Sequence, residues 1–472
     1  MYTDIIQQNF GNVLSFEMKK LISKLFSKNT TFSDLVWYIR NSAFELGRNL
    51  VSTIIEIVDE ALAKTPRVLK LYRVKTKRHR VINTQLGVIE FDRTYYINKQ
   101  TGKYYFLLDA LLGIEKYRRI DLRLRVKLCQ FADSHSYQTA CNLCHNVVSK
   151  TSVMNFLREI KQVLKDEIIV KKSDEKPPKV LYIEGDEDHV KYQDGSSHYE
   201  KMIYIHEGYK RIDKNRRVLI NPYCIIGSYS GSDGNEMLWD NVSLYIKERY
   251  GEDALTKIKI YFTSDAGKWL RACSDWLNVV EVLDKFHVVQ ACRRAVGGEF
   301  KWNKGNNKLK EWVFDGNWEM VETFKLVYLS DPILPERRLR KARKQFNYLL
   351  KNQEYIDNIR NDDYDGDSTE AHISHWLAAR DSSRPSVWSK EGLDSVMFIR
   401  CCRINKVDIY EEYCRKQAEN RKKKQIEKFD KRINKKTTLN SKYVDKIHTI
   451  KSENVGIQIL LRMIGNEKMV NV

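Results

Sequence analysis

The apolar positions of FSDLVWYIRNSAFELGRNLVSTIIEIVDEAL recur every three or four residues, the spacing of one helical face. Residues 1 to about 76 therefore read as a mainly helical region suited to packing or dimerisation. From Val81 the pattern changes. NTQLGVIEFDRTYYINKQTGKYYFLLDALLG sets β-branched and aromatic residues around a turn signal at Asn98 to Gly102, which predicts a small β-rich element over 77–130. Residues 136–162 return to helical spacing on either side of a polar turn, the second helix starting near Ser149 or Thr151, where a hydroxyl satisfies free backbone N–H groups. That string permits a helix-turn-helix within 131–175, in which Ser149, Lys150 and Thr151 would meet DNA, and equally permits a packed αα-hairpin.

Beyond DEKPPK, the runs VLYIEGDEDHVKY, RVLINPYCIIGSYS, KIKIYFTSDA and VVEVLDKFH read as strands. Helical spacing in SDGNEMLWDNVSLYIKERYG and VVQACRRAV separates or follows them. Strands alternating with helices predict a mixed α/β domain over 176–295, with polar sites at strand ends. Residues 296–360 carry two amphipathic helical patterns and read as an insertion, 361–414 complete the domain, and 415–472 form a basic C-terminal region. Its segment 415–436 holds 11 Lys/Arg against 3 Asp/Glu, a surplus that attracts phosphates without reading sequence or simply forms a solvated helical face.

Composition narrows the picture. A chain of 472 residues accommodates about three structural units, and 42% hydrophobic residues supply a core, which excludes wholesale disorder. A formal net charge of +20 makes a polyanionic partner a better starting point than a small-molecule substrate. Nine irregularly spaced cysteines favour a reducing compartment, with Cys141 and Cys144 as core residues rather than a redox or metal pair. The opening residues lack the basic-then-apolar run of a secretory signal, and no apolar stretch reaches 18 residues, so the expectation is a cytoplasmic protein without a membrane partner.

The densest chemical signal is Asp186-Glu187-Asp188-His189, directly after the apolar VLYI. Strand alternation puts Asp186 and Asp188 on one side, and clustered carboxylates are hard oxygen ligands suited to Mg2+ or Mn2+. Asp265 ends a second apolar strand and precedes a small Ala-Gly turn, while Glu370 follows a polar stretch able to cap a helix. Brought together, Asp186, Asp265 and Glu370 would form a three-carboxylate site for two divalent ions. Asp284 and His287 in LDKFH are candidate accessory residues, for either of which an ordinary structural hydrogen bond is at least as good an explanation; Asp188 and His189 are further accessory candidates, His189 equally placed to orient a carboxylate. His372 and His375 do not have the spacing of a zinc HExxH pair. Arg380 and Arg384 in AARDSSRP offer guanidinium contacts to phosphate, with Asp381 as a competing local partner, and Arg421, Lys422, Lys423 and Lys424 offer further cations.

The ordered set TQLGVIEFDRTYY, LLD, LYIEGDEDHV, SDAGKW, LDKFH and SHWLAARDSSRPSVWS resembles the ISLre-type bacterial insertion-sequence transposases, which are distantly similar to Mutator-like DDE transposases. The resemblance runs across nearly the whole chain. It implies an RNase H-like catalytic core interrupted by a helical insertion before the final Glu, with Asp186 as first catalytic acid and Asp188 as its competitor, Asp265 as second and Glu370 as last. The implied activity is metal-dependent cleavage at the ends of an insertion sequence and strand transfer into target DNA, served by two Mg2+ or Mn2+ ions. Implied partners are double-stranded DNA, the element's terminal inverted repeats and further copies of the chain. Asp381 stands where such relatives are expected to carry a neutral or apolar residue. A nuclease without strand transfer would use the same acids, and a noncatalytic DNA-binding protein would need none of them.

Overall fold

The computed structural model describes residues 31–164, 176–214, 216–265, 267–297, 305–382 and 387–436, together with isolated positions before residue 31. The described residues divide into two compact units, one drawn from within 1–128, 144–147 and 418–436, the other from within 129–143 and 148–417.

In the first unit, helix α1 (Phe32–Lys64) starts at a reciprocal cap in which Thr31 Oγ1 accepts from Asp34 N–H and the Asp34 carboxylate accepts from Thr31 N–H. Its apolar stripe, Val51, Ile55, Val58 and Leu62, packs on Ile89, Phe91 and Leu108. Helix α2 (Pro66–Leu71) opens with a proline, whose missing N–H is no loss in a first turn. A three-stranded antiparallel sheet follows, β1 (Tyr72–Thr84), β2 (Gly87–Asn98) and β3 (Tyr104–Tyr105), in the order β1-β2-β3. The β-rich pattern expected from Val81 thus starts earlier, at Tyr72. Its long hairpin reverses between Thr84 and Gly87, where Gly87 adopts φ +109°, and the Asn98 to Gly102 turn joins β2 to the short β3. Residues 73–79 lack an apolar periodicity because both sides of β1 are exposed there; pairing with β2, not local composition, makes them a strand. Helix α3 (Leu107–Leu112) closes this element, and α4 (Leu122–Ala132) follows.

The second unit contains helices α5 (Tyr137–Leu143) and α6 (Lys150–Leu164), which pack together. Ser149 Oγ accepts from Ser152 N–H at 3.2 Å and so caps α6. Next come β4 (Val180–Lys191), β5 (Ser197–His206), the hairpin β6 (Tyr209–Arg211) and β7 (Arg217–Leu219), and β8 (Tyr223–Gly227). Helix α7 (Gly231–Tyr250) and the single turn α8 (Ala254–Lys257) lead to β9 (Lys259–Ser264), and the short α9 (Lys268–Arg271) leads to β10 (Val279–Leu283). The main sheet has the order β10-β9-β4-β5-β8. Strands β4, β5 and β8 pair antiparallel, whereas β9 and β10 run parallel to β4, giving a mixed sheet flanked by helices.

Alternation assigns the two faces of that sheet different chemistry. Leu181, Ile183, Ile203, Ile205, Ile260 and Phe262 form an apolar face packed on Leu238, Trp239, Val242 and Ile246 of α7. Tyr182, Glu184, Tyr204, His206 and Tyr261 lie on the opposite, largely aromatic face.

Helix α10 (Lys285–Val296) begins a helical layer with α11 (Gly305–Asp315), α12 (Trp318–Leu329), α13 (Glu336–Lys351) and α14 (Gln353–Asp357), around a core that includes Val288, Cys292, Val313, Tyr328 and Phe346. A polar strap, residues 361–368, then crosses to α15 (Thr369–His372), which continues through a π turn at Ile373–Ala378 into α16 (Ala379–Asp381). Helix α17 (Lys390–Ile404) returns to α6 through ion pairs Arg158–Glu391 at 3.1 Å and Lys161–Asp394 at 3.2 Å, and α18 spans Ile409–Lys436. No helix among the described residues is long and apolar enough to cross a membrane.

Candidate active site

The register of parallel strands β4 and β9 pairs Glu184 with Thr263. Two residues further on, Asp186 and Asp265 occupy matching positions at the end of this pairing. Strand β10 pairs Leu283 with Ser264, so Asp284 follows at the same level, and its N–H donates to Ser264 O at 2.9 Å. Three acids thus lie side by side on three neighbouring parallel strands, Asp186 within β4 just past its last pairing with β9, Asp265 and Asp284 directly after β9 and β10, and of the three Asp284 is buried.

Local packing sets their attitudes. Asp265 Oδ1 accepts from Gly267 N–H at 2.7 Å, bending the chain into α9. Gly185 makes room for that bend: a Cβ there would lie 2.8 Å from Ile203 Cδ1 and 2.9 Å from Leu270 Cδ2. Asp186 Oδ1 accepts from Glu187 N–H at 2.8 Å. Asp284 caps α10 through Phe286 N–H at 2.6 Å.

Burial raises the Asp284 pKa to about 8, reinforced by the negative charges of Asp367, Glu184 and Asp186. Asp367, on the strap, is likewise raised by burial and by Glu184. On the other side of β4, Glu187 is raised by burial and by the charge of Asp265, with Lys201 acting in the opposite sense. Lys201 Nζ sits 4.5 Å from the Trp269 ring centroid.

Glu184, which sequence reading passed over, organises the region. It is fully buried, and its Oε1 accepts from His206 Nε2 and Tyr209 Oη–H, both at 2.9 Å. Its Oε2 accepts from Ser368 N–H at 2.9 Å, from Thr369 Oγ1 at 2.7 Å and from Tyr204 Oη–H. Burial opposes its charge, but hydrogen bonds from His206, Tyr204 and Ser368 and attraction to His206 outweigh that penalty and lower the pKa to about 2. The only visible sequence signal was an acid at the end of the apolar VLYI, and its donors become apparent only when register sets Glu184 opposite Tyr204.

The strap is held elsewhere too. Arg217 donates to Asp365 O at 3.1 Å and Asp367 O at 3.0 Å, while Lys259 Nζ contacts both oxygens of Asp363, at 2.9 and 2.7 Å. These bonds deliver the backbone of Glu370 to the second position of α15, one residue after Thr369. The Glu370 side chain lies outside the described residues. Among the described residues, no three His, Cys, Asp or Glu side chains approach closely enough to enclose a metal ion. The donor chemistry fits a hard divalent cation in kind: carboxylate oxygens around a buried acid whose ionisation is opposed by burial and neighbouring negative charge.

The remaining candidates are spread over distinct environments. Asp188 accepts from Ser382 Oγ and pairs with the buried Asp381, whose pKa burial and the Asp188 contact raise to about 8. His189 is exposed and tilted against Tyr199, with centroids 5.1 Å apart. His287 Nε2 is buried without a hydrogen-bond partner among the described residues. Half-buried Arg380 donates to Ala132 O at 3.3 Å and covers Trp388 at 4.4 Å, contacts internal to its unit. Lys150, Thr151, Arg421, Lys422 and Lys423 are exposed. Arg384 and the side chain of Lys424 lie outside the described residues.

Several buried acids share one pH dependence. Glu200, raised to about 7 by burial and the charge of Asp394, joins Asp284 and Asp381. Their folded pKa values exceed the unfolded ones, so their favourable contribution is fully present below the unfolded values and is lost as pH rises through about 7–8. Thermal melting is expected to fall between pH 6 and 9 by a few degrees, and Asp381→Asn to flatten that fall; an unchanged slope in the variant excludes Asp381 as a contributor.

Comparison with known proteins gives a consistent family. The model of the "Uncharacterised protein family (UPF0236)" matches residues 25–418. A UPF0236 protein of Caldanaerobacter subterraneus subsp. tengcongensis, whose name joins eleven designations, is 33% identical over 470 residues, 97% of this chain and 95% of the relative. A second from that organism, whose name joins four designations, is 34% identical over the same proportions. A UPF0236 protein of Streptococcus gallolyticus is 23% identical over 410 residues, 84% of this chain and 87% of its own. With the family match extending through Asp186, Asp265, Asp284 and the strap, the chain belongs to the uncharacterised protein family UPF0236.

Proposed function

We propose that this protein is a DNA transposase that cleaves insertion-sequence ends and transfers the strand into target DNA, using an RNase H-like core. The observation that carries this reading is the placement of Asp186 within β4 beside Asp265 and Asp284, which directly follow the neighbouring strands β9 and β10, in a sheet of order β10-β9-β4-β5-β8 whose first three strands in sequence are antiparallel and whose last two run parallel to β4. That is the arrangement expected of an RNase H-like fold, with the helical layer preceding Glu370 as the insertion. A further support comes from the relatives. One UPF0236 protein of a single organism carries eleven joined designations and another four, a multiplicity that a self-propagating element would produce.

Asp186, Asp265 and Glu370 would hold Mg2+ or Mn2+, two ions per site. When bound, such ions neutralise charge at the attacking and leaving oxygens of phosphoryl transfer. The chain's own groups provide the setting. Asp186 offers oxygens from β4 and Asp265 from the position directly after β9, Gly267 N–H orients Asp265, and the Glu184 network fixes the start of the helix bearing Glu370. No protein nucleophile is required, since water attacks during cleavage and a DNA 3′-hydroxyl during transfer. Two DNA ends must meet, so the active assembly is a homo-oligomer on double-stranded DNA.

The test incubates purified protein with supercoiled donor DNA carrying its native flanks, with Mg2+ or Mn2+ against EDTA, beside Asp265→Asn. Metal-dependent cuts at the element ends and joined products, both absent in the variant, are expected. Cuts without joining identify a nuclease, and verified complexes that never cut identify a noncatalytic DNA-binding protein.

A further inference from the structure

Between Lys64 and Arg80 the chain carries eight Lys/Arg and no Asp/Glu. The structure turns this stretch into α2 and the outer strand of the β1–β2 ribbon. Residues Arg73 to His79 are all exposed, as are Lys70 on α2 and Lys103 beside β3. The twelve paired positions of the ribbon extend about 40 Å at roughly 3.4 Å per residue. A register shift between Val74 and Thr76 adds local twist along the basic strand.

Charge is distributed unevenly along it. Near the Thr84–Gly87 turn, Glu90 and Asp92 lie within 3.5 and 3.2 Å of His79, placing acids beside this part of the ribbon. Toward α2, the positions paired with Tyr72 to Lys77 hold no acid: this half of the ribbon faces Thr94, Tyr95, Tyr96, Ile97 and Asn98. Lys99 N–H bonds Leu71 O and joins this end of the ribbon to α2. Arg78 lies over Tyr95, which stacks on the exposed Tyr104 at 5.0 Å, so aromatic surface accompanies the cations.

We propose that this end of the ribbon is a binding surface for the phosphate backbone of duplex DNA, contacted by Lys70, Arg73, Lys75, Lys77, Arg78 and Lys103. The inference rests on the DNA-directed function above and adds a surface separate from the carboxylate site. A two-stranded ribbon has the dimensions to lie along a DNA groove, and its cations supply affinity and register rather than base identity. Cations on an outer strand also deter unwanted strand pairing. That role is satisfied by charge of either sign, whereas phosphate binding requires positive charge.

The experiment measures full-length protein binding to a fluorescent DNA duplex as salt is varied, without divalent metal. Arg73→Gln/Lys75→Gln/Lys77→Gln/Arg78→Gln is compared with Lys214→Gln/Lys257→Gln/Lys308→Gln/Lys351→Gln, which removes equal charge elsewhere, after circular dichroism and melting verify both folds. The ribbon variant is expected to bind at least tenfold more weakly, with its log–log salt slope reduced by roughly 3–4 for four lost phosphate contacts. The control should retain most of both. Lys75→Glu/Lys77→Glu, which keeps the strand charged, should also bind more weakly while remaining monodisperse. Equal losses in ribbon and control variants overturn the proposal, as does ribbon-dependent binding that prefers single-stranded RNA to the duplex. Metal-dependent end cleavage is scored separately: normal cleavage and DNA binding in the ribbon variant refute the surface alone, while ribbon-dependent binding by a protein that never cleaves refutes the transposase reading alone.

Discussion

Asp186→Asn is expected to reduce metal-dependent DNA cleavage by roughly 10²–10⁴-fold, the range for losing a group that acts at the reacting centre, while Asp188→Asn stays within about tenfold of the parent. The two acids are two residues apart on one side of β4, and strand alternation by itself gives no reason to separate them. Their surroundings do. Asp186 lies beside Asp265, each two residues past the last pair of the β4–β9 register, and adds to the negative charge that raises Asp284. Asp188 instead receives Ser382 Oγ–H and pairs with Asp381. Duplex binding without divalent metal should survive both substitutions to within a few-fold, since neither acid attracts phosphate. Cleavage by end-labelled donor DNA and binding by anisotropy measure the two properties. A larger loss in Asp188→Asn would transfer the first catalytic position to that residue, and equal cleavage in all three proteins would remove both from the chemistry.

What the sequence made legible was governed by local pattern. The apolar runs before Asp186, Asp265 and Asp284 announced strands carrying acids, and Asp265 and Asp284 do follow strand ends, whereas β4 runs on past Asp186 to Lys191 because pairing with β5 continues through its polar half. Ser149 at the start of α6 was legible for the same reason, since a cap is a contact over three residues. The extent of β1 was not. Arg73 to His79 contain no apolar alternation, and only pairing with β2 fixes them as a strand. Glu184 was hidden more deeply. Its carboxylate is satisfied by His206 and Tyr204 across the β4–β5 pairing, by Tyr209 of the β6–β7 hairpin, and by Ser368 and Thr369, 184 and 185 residues away in the chain. Such a network depends on register and a long connection, neither of which a single sequence encodes locally. The cost of burying a charge nevertheless explains why so many donors converge there.

Glu184→Gln is expected to destabilise the unit by about 2–4 kcal/mol, because breaking a buried charged network leaves donors without acceptors. At about 2–4 °C per kcal/mol for a domain of this class, melting should fall by roughly 5–15 °C. The amide would turn an NH2 group toward either His206 and Tyr209 or Tyr204, Ser368 and Thr369, so neither orientation restores all five contacts. The carboxylate's lowered pKa gives a second signature: its contribution is present above the unfolded value of 4.5 and disappears as pH falls through about 2, so the variant's deficit should shrink in acid. Function should reveal positioning as well as stability. Thr369→Val removes one hydroxyl donor while leaving the Ser368 N–H contact, and should lower the single-turnover cleavage rate by about tenfold at temperatures where it remains folded, with duplex binding unchanged. A Glu184→Gln protein with unchanged melting would contradict the network's stabilising role. Full cleavage by Thr369→Val would show that its hydroxyl contact with Glu184 does not set the attitude of the helix bearing Glu370.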